Sequence, residues 1–189
     1  MLIIFEGNEG SGKTTLAGML STMLCTPVMK RASHKGWTRG SDDYAYAWDL
    51  NESAKWEYRF LFEMLNDHWR RDNFIIDRSF ITQEVYHKAF WDNNLINDVQ
   101  EQAYSGNIQA LSNIPHLIVH VNRDTVREDD ETLKTYAHKG DPFEKIQESY
   151  ERFYDRGDVG ALLNVMQLDN NRSLQETFNE LKLAIEACL

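Results

Sequence analysis

The sequence predicts an α/β fold: a five-stranded parallel sheet with helices on both faces. Short, continuously apolar runs such as Leu2-Ile3-Ile4-Phe5 have the character of strands buried on both sides. They alternate with amphipathic segments of helical period, the pattern of strands joined by crossover helices. A glycine-rich turn, Gly7-Asn8-Glu9-Gly10-Ser11-Gly12-Lys13-Thr14, links the first run to the first helical segment.

Taken in order, the first helix follows that turn, with Leu16, Met19, Leu20, Met23 and Leu24 on one face. Pro27-Val28-Met29 reads as a short second strand. A helix at 53–70 carries Tyr58, Leu61, Phe62, Leu65 and Trp69 on one stripe. Phe74-Ile75-Ile76-Asp77 is a third strand, ending in an acid. A helix near 96–111 leads past the breaker Pro115 to a strand, Leu117-Ile118-Val119-His120-Val121. A further helix at 143–154 places Phe143, Ile146, Tyr150 and Phe153 together. Asn164-Val165-Met166-Gln167-Leu168 is the last strand. Ser173-Leu174-Gln175-Glu176 has the form of a capping box, opening a helix with Leu174, Phe178, Leu181 and Ile185 as its apolar stripe.

A chain of 189 residues, 42% of them hydrophobic, suits one domain spanning 1–189. Two cysteines, Cys25 and Cys188, have no metal-like spacing and are expected to be reduced and to fill space. Six histidines lack ligand spacing, so no zinc is expected. There is no charged-then-apolar leader and no run approaching the roughly 18 apolar residues of a membrane span, so a cytoplasmic protein without a membrane partner is expected. The net charge of −10 disfavours a nucleic-acid partner held by its phosphates, which usually meets a basic face. Its basic residues are scattered apart from Lys30, Arg31, Lys35 and Arg39, an arrangement that suits a small anion in a local positive pocket.

The spacing G-x-x-x-x-G-K-[ST] is met by Gly7, Gly12, Lys13 and Thr14. In such a loop successive backbone N–H groups converge on one anion, and the following helix adds its N-terminal dipole. Lys13 brings a point charge to the phosphates, and the Thr14 hydroxyl suits Mg²⁺. Because the motif follows a strand and precedes a helix, it predicts a nucleoside-triphosphate site formed by Gly7, Asn8, Glu9, Gly10, Ser11, Gly12, Lys13, Thr14 and Thr15. Asp77, at the end of a second buried strand, stands where P-loop proteins keep the acid that supports Mg²⁺.

The run from Phe5 to Thr15 resembles the opening of thymidylate kinases, F-E-G-x-[DE]-G-x-G-K-[ST]-T, and also that of deoxynucleoside kinases. Asp77-Arg78-Ser79 is similar to the D-R-[YH] element of the former and the E-R-S element of the latter. Tyr86 falls on a tyrosine of the thymidylate kinase pattern, and His87 stands where its base-reading glutamine would be. Lys139-Gly140-Asp141-Pro142-Phe143-Glu144 resembles their lid and following helix. The resemblance spans nearly the whole chain and implies a P-loop kinase fold with a short lid at about 123–143, a bound Mg-ATP and a homodimer.

By that resemblance Arg78 bridges donor and acceptor phosphates, and Glu9 faces the acceptor sugar. Phe62 either stacks on the acceptor base or packs in the core; Tyr86 and His87 complete the acceptor side. The kinases' R-E-P segment reads Lys30-Arg31-Ala32-Ser33 here, and their helical L-F-x-A-x-R arginine has no counterpart. An acceptor monophosphate would therefore meet Arg31, Arg70 or Arg71. No basic residue lies among the variable loop positions Asn8, Glu9 and Ser11, so the lid is expected to supply one from Arg123, Arg127, Lys134 and Lys139. Deoxynucleoside kinases need a carboxylate after the second strand as general base. Between Pro27 and Gly40 this chain has no acid, which favours an acceptor whose oxygen is already ionised. The leading expectation is a kinase for dTMP or a modified pyrimidine deoxynucleotide. Deoxynucleoside kinase, kinase acting on a polynucleotide hydroxyl and non-catalytic nucleotide-binding module are the alternatives.

Overall fold

A computed structural model describes residues 1–30, 59, 73–90, 98–124 and 141–188. Its strands are β1 (Leu2–Glu6), β2 (Val28–Lys30), β3 (Phe74–Asp77), β4 (His116–Asn122) and β5 (Val165–Asp169). The helices are α1 (Lys13–Leu24), α2 (Phe80–Phe90), α3 (Asp98–Ser112), α4 (Pro142–Tyr154), α5 (Gly157–Leu162) and α6 (Leu174–Cys188).

All five strands pair in parallel in the order β2-β3-β1-β4-β5. Central β1 sets Ile3 between Ile75 and Leu117 in register. Side chains alternate across a strand, so its apolar run supplies two cores at once. Leu2 and Ile4 pack with Ile118 and with residues of α2, α3, α4 and α5 on one face. Ile3 and Phe5 pack on the other with Ile75, Leu117 and Val119, beneath Leu16 and Leu20 of α1 and Leu181 and Ile185 of α6. A strand buried on both faces has no position for a polar residue until its end, where Glu6 stands.

The helix ends follow local chemistry. Asp141 accepts from the Phe143 and Glu144 amides at the start of α4, and Pro142 occupies the first turn, where a missing N–H costs nothing. At α6, Ser173 and Glu176 cap each other reciprocally, as the box predicts. Leu174 departs from expectation. It is 43% exposed and lies off the stripe, because the first residue of the helix precedes the turn that meets the sheet.

Other departures are of the same local kind. Both cysteines are free and exposed, so neither fills core space. Helices α2 and α5 lie outside the expected elements. Arg31, Phe62, Arg70, Arg71, Arg127, Lys134, Lys139 and the expected helix at 53–70, except Arg59, lie outside the described residues, as does most of the expected lid. No described helix is long and apolar enough to cross a membrane.

Candidate active site

The chain leaves central β1 towards β2 and β3 on one side of the sheet and goes on to β4 and β5 on the other, so the carboxyl end of β1 sits where connections diverge. Open α/β sheets place their ligands at such a point. Here the glycine loop turns into α1, and two of its glycines are dictated by geometry. Gly7 has φ +132°, and a Cβ there would run into the Val121 carbonyl of β4. Gly12 has φ +95°, and its Cβ would strike the Asn170 amide, which itself donates to the Ser11 carbonyl at 2.6 Å. Asn170, in the turn after β5, thus closes the loop from outside. Sequence reasoning missed it.

Lys13 is buried at the base of the loop. Its ammonium donates to the Asn8 carbonyl and, at 3.2 Å, to Ser11 Oγ. Burial and the nearby Arg78 push it down to about 7. Asn8 uses its side chain elsewhere: Nδ2 donates to the Phe143 carbonyl at 3.0 Å, fastening the loop to the start of α4. Arg123, the described member of the lid candidates, donates from Nη1 to the Gly10 carbonyl at 3.5 Å.

Thr14 and Asp77 meet across the sheet end, with the hydroxyl donating to Oδ2 at 2.6 Å. The other oxygen, Asp77 Oδ1, is buried without a hydrogen-bond partner among the described residues. A buried oxygen left unmatched beside a hydroxyl is a hard-oxygen donor set, which fits Mg²⁺ with its waters.

Arg78 follows Asp77 with φ +73°, a left-handed backbone in a residue with a Cβ. Its side chain turns to the loop, where Nη2 lies 2.7 Å from Glu9 Oε1. Tyr86, two turns into α2, donates its hydroxyl to the same Glu9 oxygen at 3.1 Å. Burial pushes that phenol well above its ordinary value, so it remains a donor. The guanidinium carbon stands 5.7 Å from the Tyr86 ring centre. Its Nη1 is buried without a partner among the described residues.

Successive helical residues point about 100° apart. Tyr86 reaches the loop, and His87, the next residue, is fully buried, its imidazole pushed by burial and Lys88 down to about 4. Arg31 and Phe62, expected beside His87 on the acceptor side, lie outside the described residues, so its place at an acceptor base stays an expectation.

Sequence comparison then matches residues 2–156 to an AAA domain family. The chain belongs to that family. A prophage-derived relative of this AAA domain, YorR of Bacillus subtilis, is 31% identical over 116 residues, 61% of this chain. That match spans 60% of YorR, less than two thirds of its length. Among solved structures, thymidylate kinase of Ehrlichia chaffeensis superposes with a TM-score of 0.65 at 12% identity, covering 98% of each chain. Deoxyadenosine kinase of M. mycoides, with dCMP and dCDP bound, gives 0.61 at 16% identity over 99% of this chain and 100% of its own. YorR in complex with phosphorylated GDP gives 0.52 at 20% identity over 98% and 96%. The AAA domain described here thus has the nucleotide-kinase-like P-loop fold.

Proposed function

We propose that this protein is an ATP-dependent kinase that transfers the γ-phosphoryl group to a deoxynucleoside monophosphate, either dTMP or a modified pyrimidine deoxynucleotide. One observation carries the reading: Arg78 and Glu9 meet beside the phosphate loop, and Arg78 still holds an unmatched buried Nη1. A protein that only held a triphosphate would have no need of a second cation aimed past the loop. The nucleotides named with the similar structures agree with this ligand class.

In this reading the amides of residues 7–15 and the Lys13 ammonium hold the donor phosphates. On binding, the ammonium exchanges the Asn8 carbonyl for phosphate oxygens. Thr14 and Asp77 would hold Mg²⁺, which supplies neutralisation of charge on the phosphate oxygens. Arg78 reaches both the transferred group and the acceptor phosphate. Glu9 takes the acceptor sugar hydroxyl, with Tyr86 fixing the carboxylate. Transfer breaks the bond from the γ-phosphorus to the ADP oxygen and forms one to an acceptor oxygen that is already ionised, so no general base is required. The absence of an acid between Pro27 and Gly40 is consistent with that. Arg31, Arg70 or Arg71 would meet the monophosphate, and Arg127 or Lys139 would close over the transferred group. A cytoplasmic homodimer completes the proposal, and sedimentation would check the dimer.

The test is ADP formation from Mg-ATP with a panel of nucleosides, nucleoside monophosphates and a short oligonucleotide. Deoxynucleotide monophosphates are expected to be turned over, and Lys13→Ala to reduce turnover at least a hundredfold. Activity on nucleosides alone would assign a deoxynucleoside kinase instead, and silence on the whole panel a binding module. Lys139→Ala and Arg127→Ala are expected to lower kcat at least tenfold in one case; two unchanged variants would remove the lid from the mechanism.

A further inference from the structure

Glu6 is fully buried at the end of β1, and the reaction outlined above gives it no part. Its carboxylate accepts four hydrogen bonds. Oε1 takes the backbone N–H and the hydroxyl of Ser79, both at 2.7 Å. Oε2 takes the hydroxyl of Thr82 at 2.5 Å and that of Tyr150 at 3.0 Å. A buried carboxylate is costly to desolvate, and apolar packing is often as stable. The positions of its partners show what this one does in return.

Ser79 comes directly after Arg78, and the Arg78 backbone is pinned from β1 on both sides. Its own N–H donates to the Phe5 carbonyl at 3.0 Å, and the next N–H donates to Glu6. A left-handed residue with a Cβ persists only where its surroundings over-determine it, and these two bonds do so. Thr82 adds the first turn of α2, the helix that carries Tyr86. Tyr150 belongs to α4, whose start is already fastened to the loop by Asn8. Glu6 therefore gives one buried polar anchor on β1 to three things: the strained Arg78 turn, the head of α2 and α4, the last two already packed together in one core with Ser149 Oγ donating to the Val85 carbonyl at 2.8 Å.

We propose that Glu6 is a positioning residue, whose carboxylate presents the Arg78 guanidinium to the phosphates while α4 is docked through Tyr150. The proposal rests on the kinase reading for its chemistry and on the hydrogen bonds alone for its geometry. Glu6→Gln keeps the shape and removes the charge, so that the hydroxyls of Thr82 and Tyr150 lose their common acceptor. Tyr150→Phe removes the hydroxyl that meets both Glu6 and Thr82 and leaves the cap on Ser79.

Each substitution is made alone and together with Arg78→Ala, and two readouts follow. The first needs no substrate: the Nε–Hε signal of Arg78 by NMR, identified by its loss in Arg78→Ala. Glu6→Gln is expected to shift and broaden it, and Tyr150→Phe to shift it less. The second is kinetic, with Mg-ATP and dTMP: kcat is expected to fall at least tenfold in Glu6→Gln and severalfold in Tyr150→Phe, with KM for ATP within twofold. In the Arg78→Ala background neither substitution should lower kcat further. An unchanged Arg78 signal, or equal losses in both backgrounds, would overturn the proposal. If Glu6→Gln does not fold, Tyr150→Phe decides. A wild-type protein inactive on every acceptor would defeat the kinase reading, while the NMR signal would still settle what Glu6 positions.

Discussion

Arg78 pairs an unfavourable backbone, φ +73°, with the side chain that the proposed chemistry needs most. A left-handed residue with a Cβ costs about 1–2 kcal/mol. Arg78→Gly should therefore be more stable than Arg78→Ala by about 1 kcal/mol in urea unfolding, although glycine usually destabilises. The reverse order would mean that the turn is unstrained. Gly7 is under the opposite constraint, since the Val121 carbonyl leaves no room for a Cβ. Gly7→Ala should cost at least about 3 kcal/mol, by the overpacking and strain together, and weaken ATP binding in a calorimeter. Within the candidate site, the loop was legible from its spacing and Asp77 from the end of its strand, whereas Arg78 and Tyr86 were named by resemblance alone. Asn170 had no such signal, and the part of Glu6, although it stands in the Phe5–Thr15 run, was not legible either, because their partners Ser79, Tyr150 and Ser11 are far away in the chain.

At the scale of elements, α4 shows how a cap at one end serves the site. Asp141 satisfies two amides of its first turn, and two residues later the Phe143 carbonyl receives Asn8. Asp141→Ala should lower stability by about 1 kcal/mol, read from the denaturation midpoint. It should also raise KM for ATP, because the loop loses a fixed anchor. An unchanged KM would show that Asn8 needs no ordered helix start. The five strands were readable from their apolar runs, within a residue at most ends. Helix α2 was not, and the reason is physical: it buries Gln83, Glu84 and His87 along with Phe80, Ile81 and Val85. Polar residues on a buried face erase the period that reveals a helix. Glu84 is kept inside by Lys88, one helical turn on, and by Arg156 at 2.6 Å, a partner that no spacing rule connects.

For the molecule as a whole, buried imidazoles make stability depend on pH. Burial and Lys88 push His87 down to about 4. Burial, with Lys13 nearby, does the same for His120, which packs at a tilt against both Tyr150 and Tyr154 and bonds to Gln167. His116 is also lowered by burial, its Nε2 accepting the Asn164 amide. In the unfolded chain these rings take up protons below pH of about 6.5, whereas in the folded protein His87 and His120 refuse them until near 4 and His116 is also held below its ordinary range. Stability should therefore be complete above about 6.5 and fall as pH drops towards 4, by roughly 3 kcal/mol for each of His87 and His120. Urea midpoints at three pH values would measure the slope. His120→Phe should flatten it, and an unchanged slope would place the titration elsewhere. The sheet order has one more consequence, for synthesis. Central β1 leaves the ribosome before the strands it pairs with, Phe74–Asp77 and His116–Asn122, both made much later. Until β4 has emerged, the run Ile3-Ile4-Phe5 has an open edge, and the face of Leu2 and Ile4 still lacks Ile146 and Tyr150 of α4. Distant pairings of this kind fold slowly and leave apolar surface in reach of other chains. The strand that finally carries the phosphate loop is thus the one a nascent chain must shelter for longest.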